Sequence, residues 1–178
     1  MIVFPCAASI YSARQENETE PIEITTDDYG AILFRFRGGG RGSLWVSQVT
    51  AGRKNNLRYE IAGTQGALAW DSQLPNQLWL GSRDAPNQQL TRDPALMGDL
   101  ARPFANYPGG HNEGFPDTFK QCFRAFYQAV ASGDRECERL YPTFAQGHHE
   151  VVLCEAILAS HQQQGWVRLD GWLEAKPR

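Results

Sequence analysis

The sequence lacks the motifs of several large functional classes. It has no GxGxxG after a strand pattern, no GxxxxGK[ST] and no GxSxG. A dinucleotide-binding turn, a P-loop and a hydrolase nucleophile elbow are therefore not legible in it. No apolar run approaches the roughly 20 residues of a membrane helix. Positive charge is not in excess either, with 17 Lys and Arg against 20 Asp and Glu and a net charge of -3. Nucleic-acid binding usually leaves a basic face, so no such partner is expected. Cys6, Cys122, Cys137 and Cys154 form no CxxC pair and match no zinc spacing. Cys122 and Cys154 fall inside apolar helical patterns, where a free cysteine acts as a small hydrophobe. A reducing cytoplasm is the expected compartment. Met1–Ala8 is short and apolar without a basic leader, so no signal peptide is expected.

The chain does have the means to build a core. Its 178 residues are 42% hydrophobic, which predicts a single domain over 1–178 with a polar tail at 170–178. The centre of the pattern is Tyr29 to Leu80, a run of short alternating segments separated by glycine turns. Ile32, Phe34 and Phe36 alternate with Arg35 and Arg37. Gly38–Gly42 turns the chain, and Ser43–Thr50 alternates again. Leu57, Tyr59 and Ile61 resume the alternation, Gly63-Thr64-Gln65-Gly66 turns once more, and Ala67–Trp70 and Gln77–Leu80 follow. Period-two alternation between glycine clusters is the signature of half-buried antiparallel strands.

The flanks are more varied. Ile10 and Tyr11 are expected in one strand and Pro21–Thr26 in another, around a polar loop at 14–20. Gly81–Gly110 shows no sustained period and reads as a long surface excursion, a kind of loop that is usually functional or disordered. Pro116–Ser132 places Phe119, Phe123, Phe126 and Val130 on one helical stripe, with Gly133 as the stop. Thr143 and Gln146 fit a capping box for a second helix with Val151, Cys154 and Leu158 as its stripe, Val152 and Ile157 flanking it, and Gly165 at its end. Trp166–Leu169 reads as a last strand. The expected class is α+β: an open, mostly antiparallel sheet of about six strands, with two amphipathic helices packed on one face. The other face would be a subunit interface or the wall of a cleft.

Three clusters carry candidate chemistry. Gly52-Arg53-Lys54-Asn55-Asn56 is either a solvated hairpin tip or a set of donors for sugar hydroxyls or a phosphate. Pro108-Gly109-Gly110-His111-Asn112-Glu113-Gly114 is either a glycine turn or a substrate-lining loop close to a helix N-terminus. His111 and Glu113 are a possible acid–base pair by residue type alone. His148-His149-Glu150 points its histidines about 100° apart on a helix, so it does not chelate an ion as an i, i+4 pair does.

The order of these motifs resembles one family. Gly42-Ser43-Leu44, Ser47-Gln48, Ala51–Asn55, Glu60–Leu68 and Pro75–Leu78 come in sequence, followed by Pro108–His111, Glu113–Asp117 and Pro142–His148. The series resembles the C-terminal domain of the glucose–fructose oxidoreductase / inositol dehydrogenase (Gfo/Idh/MocA) family, over roughly Ile2 to Leu169. The resemblance implies NAD(P)-dependent dehydrogenases of sugars and cyclitols, with the nucleotide held on an N-terminal Rossmann domain. It implies a catalytic lysine in a Glu-Lys-Pro motif of that half, and an aspartate and histidine four residues apart early in the second half. None of these motifs occurs here, and Lys176-Pro177 follows alanine at the wrong position. The resemblance therefore implies a chain that begins after the aspartate–histidine helix, with no catalytic residue, cofactor site or metal site of its own. NAD or NADP is expected for the full-length family member.

The substrate side carries over, with Arg53, Lys54, Asn55, His111 and Glu113 as the sugar-facing wall. The expected partners are a sugar or cyclitol, the missing Rossmann domain, and a second copy of the chain through the sheet face as a homodimer or larger assembly. A membrane is not among them. The alternatives are a stand-alone carbohydrate-binding or scaffold protein, a metal-dependent hydrolase or isomerase using His111, Glu113 and Asp117, and a remnant without function.

Overall fold

The computed structural model describes residues 10–15, 18–23, 26–134 and 139–170. Cys6, Cys137 and the tail beyond Asp170 lie outside them. In chain order the elements are β1 (Ile10–Gln15), β2 (Glu18–Glu23), β3 (Tyr29–Arg35), β4 (Arg41–Ser47), β5 (Arg58–Ala62), β6 (Gly66–Asp71), β7 (Gln77–Ser82), β8 (Gln88–Thr91), α1 (Phe115–Ser132) and α2 (Phe144–Gln163), with two short 3-10 turns between β8 and α1. Every described strand pairing is antiparallel, and the strands fall into two hairpins and an open four-stranded sheet. The class is α+β, as expected. No helix of the described residues is long and apolar enough to cross a membrane.

The chain folds as two compact units. One takes the chain up to Gly52 and again from Thr143, and the other is Arg53–Pro142. In the first unit β1 pairs with β2, Ile10 opposite Glu23 and Gln15 opposite Glu18. Pairing thus runs through most of the stretch expected to be a polar loop, because a two-stranded ribbon tolerates polar side chains along its length. β3 and β4 pair from Tyr29–Ser47 to Arg35–Arg41. Their turn closes through Gly39 N to Phe36 O (3.0 Å) and Phe36 N to Gly40 O (3.1 Å).

The core of this unit is the contact of Ile32 on β3 with Ala156 on α2, surrounded by Phe34, Ile157, Val167 and Leu169. The buried side of α2 is Val152, Ala156 and Ser160, and Val151, Cys154 and Leu158 are exposed or only partly covered. The stripe expected from large apolar residues is therefore displaced. Ala156, 0% exposed, is small enough to let helix and strand approach closely at Ile32, and Ser160, also buried, donates Oγ to Gly165 O (2.7 Å). The capping box forms as expected, with Gln146 N donating to Thr143 Oγ1 (3.3 Å) and Thr143 N to Gln146 Oε1 (2.8 Å). The helix ends on Gln164, which adopts the left-handed conformation (φ 52°), rather than on Gly165. Trp166–Leu169 is not a strand. Its alternation arises because Val167 and Leu169 both pack on the Ile32–Ala156 core, while Trp166 lies 4.0 Å from the Arg35 guanidinium.

The second unit holds the sheet β5-β6-β7-β8, a meander in sequence order. The registers place Arg58, Glu60, Asp71, Gln77, Trp79 and Gln89 on one face, and Tyr59, Ile61, Leu68, Trp70, Leu80 and Leu90 on the other. β8 lies inside the stretch expected to be irregular, since Gln88-Gln89-Leu90-Thr91 offers no apolar alternation at an edge. α1 begins as expected: Asp117 Oδ2 accepts from Gly114 N (2.9 Å), and Gly133 (φ 65°) stops the helix. Its stripe of Phe119, Phe123, Phe126 and Val130 is formed but exposed, and the helix residue that is buried is Gln121, which donates to Phe104 O (2.9 Å).

Candidate functional site

The sheet register decides where the expected site residues lie. Arg58 pairs with Asp71, and Gln77 pairs with Thr91. The segments before β5, between β6 and β7, and after β8 therefore emerge at the same end of the sheet. Arg53, Lys54 and Asn55 are in the first segment; His111 and Glu113 are in the last. The two groups sit toward opposite edges of that end, since four strands span about 14 Å at ~4.8 Å each.

The first segment is tied down locally. Arg53 Nη1 donates to Gln73 Oε1 (3.1 Å), Asn56 Nδ2 to Asp71 Oδ1 (2.8 Å), and Leu57 N to Ser72 Oγ (2.9 Å). Asn55 takes a left-handed backbone (φ 45°), a conformation asparagine tolerates better than most residues. Arg53, Lys54 and Asn55 are all exposed, with Arg53 Nη1 engaged by Gln73.

The last segment is built differently. Asn76, just before β7, receives hydrogen bonds at Oδ1 from Glu113 N (3.1 Å) and Arg92 Nε (2.8 Å), and donates Nδ2 to Glu113 O (3.1 Å). Glu113 is 9% exposed. Its Oε1 accepts from Asn106 N (2.9 Å), and its Oε2 lies 2.7 Å from Arg92 Nη1, a charge contact rather than an aligned hydrogen bond. The Glu113 carboxylate is thus already engaged inside the loop, whereas His111 is exposed. The two glycines just ahead of His111 are constrained in conformation and space. Gly110 has φ 84°, and a Cβ on Gly109 would stand 3.1 Å from Asp93 Cγ.

Asp117 is held below the usual carboxylate range, first by the Lys120 hydrogen bond (2.5 Å) and then by the Gly114 N–H. Lys120 is raised in turn by the same contact. Glu113 and Asp117, two of the residues considered for a metal-dependent hydrolase, are therefore each committed to a cation. Among the described residues no group of three or more His, Cys, Asp or Glu is placed to hold a metal ion.

One feature of the sheet was not read from the sequence. A depression of about 370 Å³ opens on the polar face, lined among others by Arg58, Glu60, Asp71, Gln77, Trp79 and Gln89. None of the five expected site residues lines it. The indole of Trp79 lies over Gly81, where a Cβ would be 2.4 Å from Trp79 Cη2. A ring laid flat by a strand glycine two residues on, with amides and charges around it, suits a polyhydroxylated ring that is apolar on one side. The legible signal was Trp79 and Gly81 at the same parity of one alternating strand.

These features define an α+β domain whose open sheet ends in a cluster of polar loops. The chain belongs to the oxidoreductase family defined by its C-terminal alpha/beta domain, GFO_IDH_MocA_C, which matches residues 3–169. It is 24% identical over 147 residues to the uncharacterized oxidoreductase YfiI of Bacillus subtilis, covering 79% of this chain and 37% of that protein. It is also 24% identical over 156 residues to levoglucosan dehydrogenase of Pseudarthrobacter phenanthrenivorans, covering 85% of this chain and 38% of the relative. An inositol dehydrogenase homolog from Azotobacter vinelandii, solved with NADH and myo-inositol, superposes with a TM-score of 0.68 at 25% identity, covering 79% of this chain and 38% of that one. The chain thus spans less than two fifths of the length of each of these relatives.

Proposed function

We propose that this chain is the substrate-binding and oligomerisation domain of an NAD(P)-dependent dehydrogenase of sugars or cyclitols, working in the cytoplasm and inactive by itself. The nucleotide and the catalytic lysine belong to a Rossmann domain outside these residues. Arg53, Lys54, Asn55 and His111 present donors to the polyol, and Glu113 serves the site as the counter-ion of Arg92. The observation that carries the reading is the strand register that brings the Arg53–Asn55 and His111 segments to one end of one sheet. Family membership supports the reaction class, and the levoglucosan and myo-inositol named with two relatives support the ligand class. The continuous family match supports a single domain despite the two compact units. The Trp79 depression favours a second reading, a carbohydrate-binding protein without catalysis.

Calorimetric titration of NADH, NADPH and myo-inositol into the chain tests the proposal. Neither nucleotide is expected to bind, and myo-inositol is expected to bind with an affinity that His111→Ala lowers roughly tenfold, a loss of about 1.4 kcal/mol. One-to-one nucleotide binding overturns the assignment of the cofactor to another domain. Turnover restored by a separately supplied Rossmann domain separates the dehydrogenase from the purely binding alternative.

A further inference from the structure

The Arg92 guanidinium gathers the whole His111 loop. Nη1 donates to Tyr107 O (2.8 Å) and contacts the Glu113 carboxylate, while Nη2 reaches Pro108 O (3.5 Å) and His111 O. Nε is anchored on Asn76 at the sheet end, and the Arg92 backbone N–H donates to Asn76 O (2.8 Å). The side chain is 10% exposed. A planar fork with five donors matches this set of carbonyls and one carboxylate, whereas an ammonium cannot reach them together. Two left-handed or crowded glycines precede His111, so the loop has little intrinsic preference for one shape. What fixes it is the cation at its centre.

We propose that Arg92 is the positioning residue of the candidate site: it holds the backbone of Tyr107 to Glu113 so that His111 is presented to the ligand, with Glu113 and Asn76 as its own supports. This rests on the reading of His111 as ligand-facing. Arg92 touches no ligand in this arrangement and acts through the loop.

The test is nuclear magnetic resonance of the full chain, wild type and Arg92→Lys, with myo-inositol as the probe. The chain has four histidines, and His148, His149 and His161 on α2 serve as internal controls. In Arg92→Lys the amide signals of Gly109–Asn112 and the His111 imidazole are expected to move or broaden, with the α2 histidines unmoved. The affinity for myo-inositol falls at least about tenfold. Arg92→Met with Glu113→Leu, which replaces the buried pair by apolar groups, keeps the chain folded if the single variant is lost, and is expected to release the same signals. Unmoved His111-loop signals in a folded variant overturn the proposal, as does a released loop with wild-type affinity. A wild-type His111 that does not respond to myo-inositol removes the ligand-facing reading instead, while the loop signals still decide what Arg92 does.

Discussion

Glu113 shows how a residue type can be informative and its role misleading. A carboxylate beside a histidine in a glycine-rich loop reads as site chemistry, and the structure brings both to the sheet end. Only His111 is exposed there. Glu113 faces inward to Arg92 and Asn106. Nothing in the local sequence couples Glu113 to Arg92, because the pairing depends on β7 and β8 returning Asn76 and Arg92 to the same place. Removing one partner of a buried pair leaves an uncompensated charge. Glu113→Ala is therefore expected to destabilise the second unit by about 3–5 kcal/mol, whereas Lys54→Ala, on an exposed side chain, is expected to stay within about 0.5 kcal/mol. Urea unfolding of both variants checks the contrast. Equal stabilities would mean that the Arg92–Glu113 contact contributes nothing net.

At the scale of elements, the legible parts were those whose signal is local. The glycine turns, the alternating strands, the Thr143–Gln146 capping box and the Gly133 stop lie where the residues place them. Three elements were not legible, each for a different reason. β8 is a polar edge strand with no period to detect. Trp166–Leu169 has the period of a strand because two of its residues enter a core. α2 turns its small residues inward, and a reading weighted toward large side chains selects the wrong face. Ala156→Leu inserts volume into the Ile32 contact and is expected to cost about 1–3 kcal/mol. Leu158→Ala, on the face expected from sequence to be core, is expected to cost less than about 1 kcal/mol, near the range of surface changes. Thermal melts followed by circular dichroism give the ranking, and the reverse order would restore the sequence-derived stripe.

At the scale of the whole chain, the family was legible because its motifs sit in turns that recur in a set order, and each such turn is fixed by a few residues. The grouping of the chain was not legible in the same way. The first compact unit joins β3 and β4 to α2 across the entire second unit in sequence, and local pattern carries no information about a contact of that range. Nor does alternation say what lies against each face of a sheet. Tyr59, Leu90 and Ile61, the last 62% exposed, share the apolar face of the four-stranded sheet. A contiguous apolar surface of this kind marks a contact site on a protein in water. The oligomerisation half of the proposed function then predicts concentration-dependent association over the micromolar range in sedimentation velocity. Ile61→Lys, a charge on that face at the edge strand β5, should shift the chain toward monomer without lowering its melting temperature, because little of Ile61 is buried within the chain. A chain that stays monomeric at every concentration removes the oligomerisation role. Association that Ile61→Lys leaves intact moves the contact elsewhere, and the exposed Phe119–Phe123–Phe126 stripe of α1 is the next surface to test by the same substitution of a charge for an apolar residue.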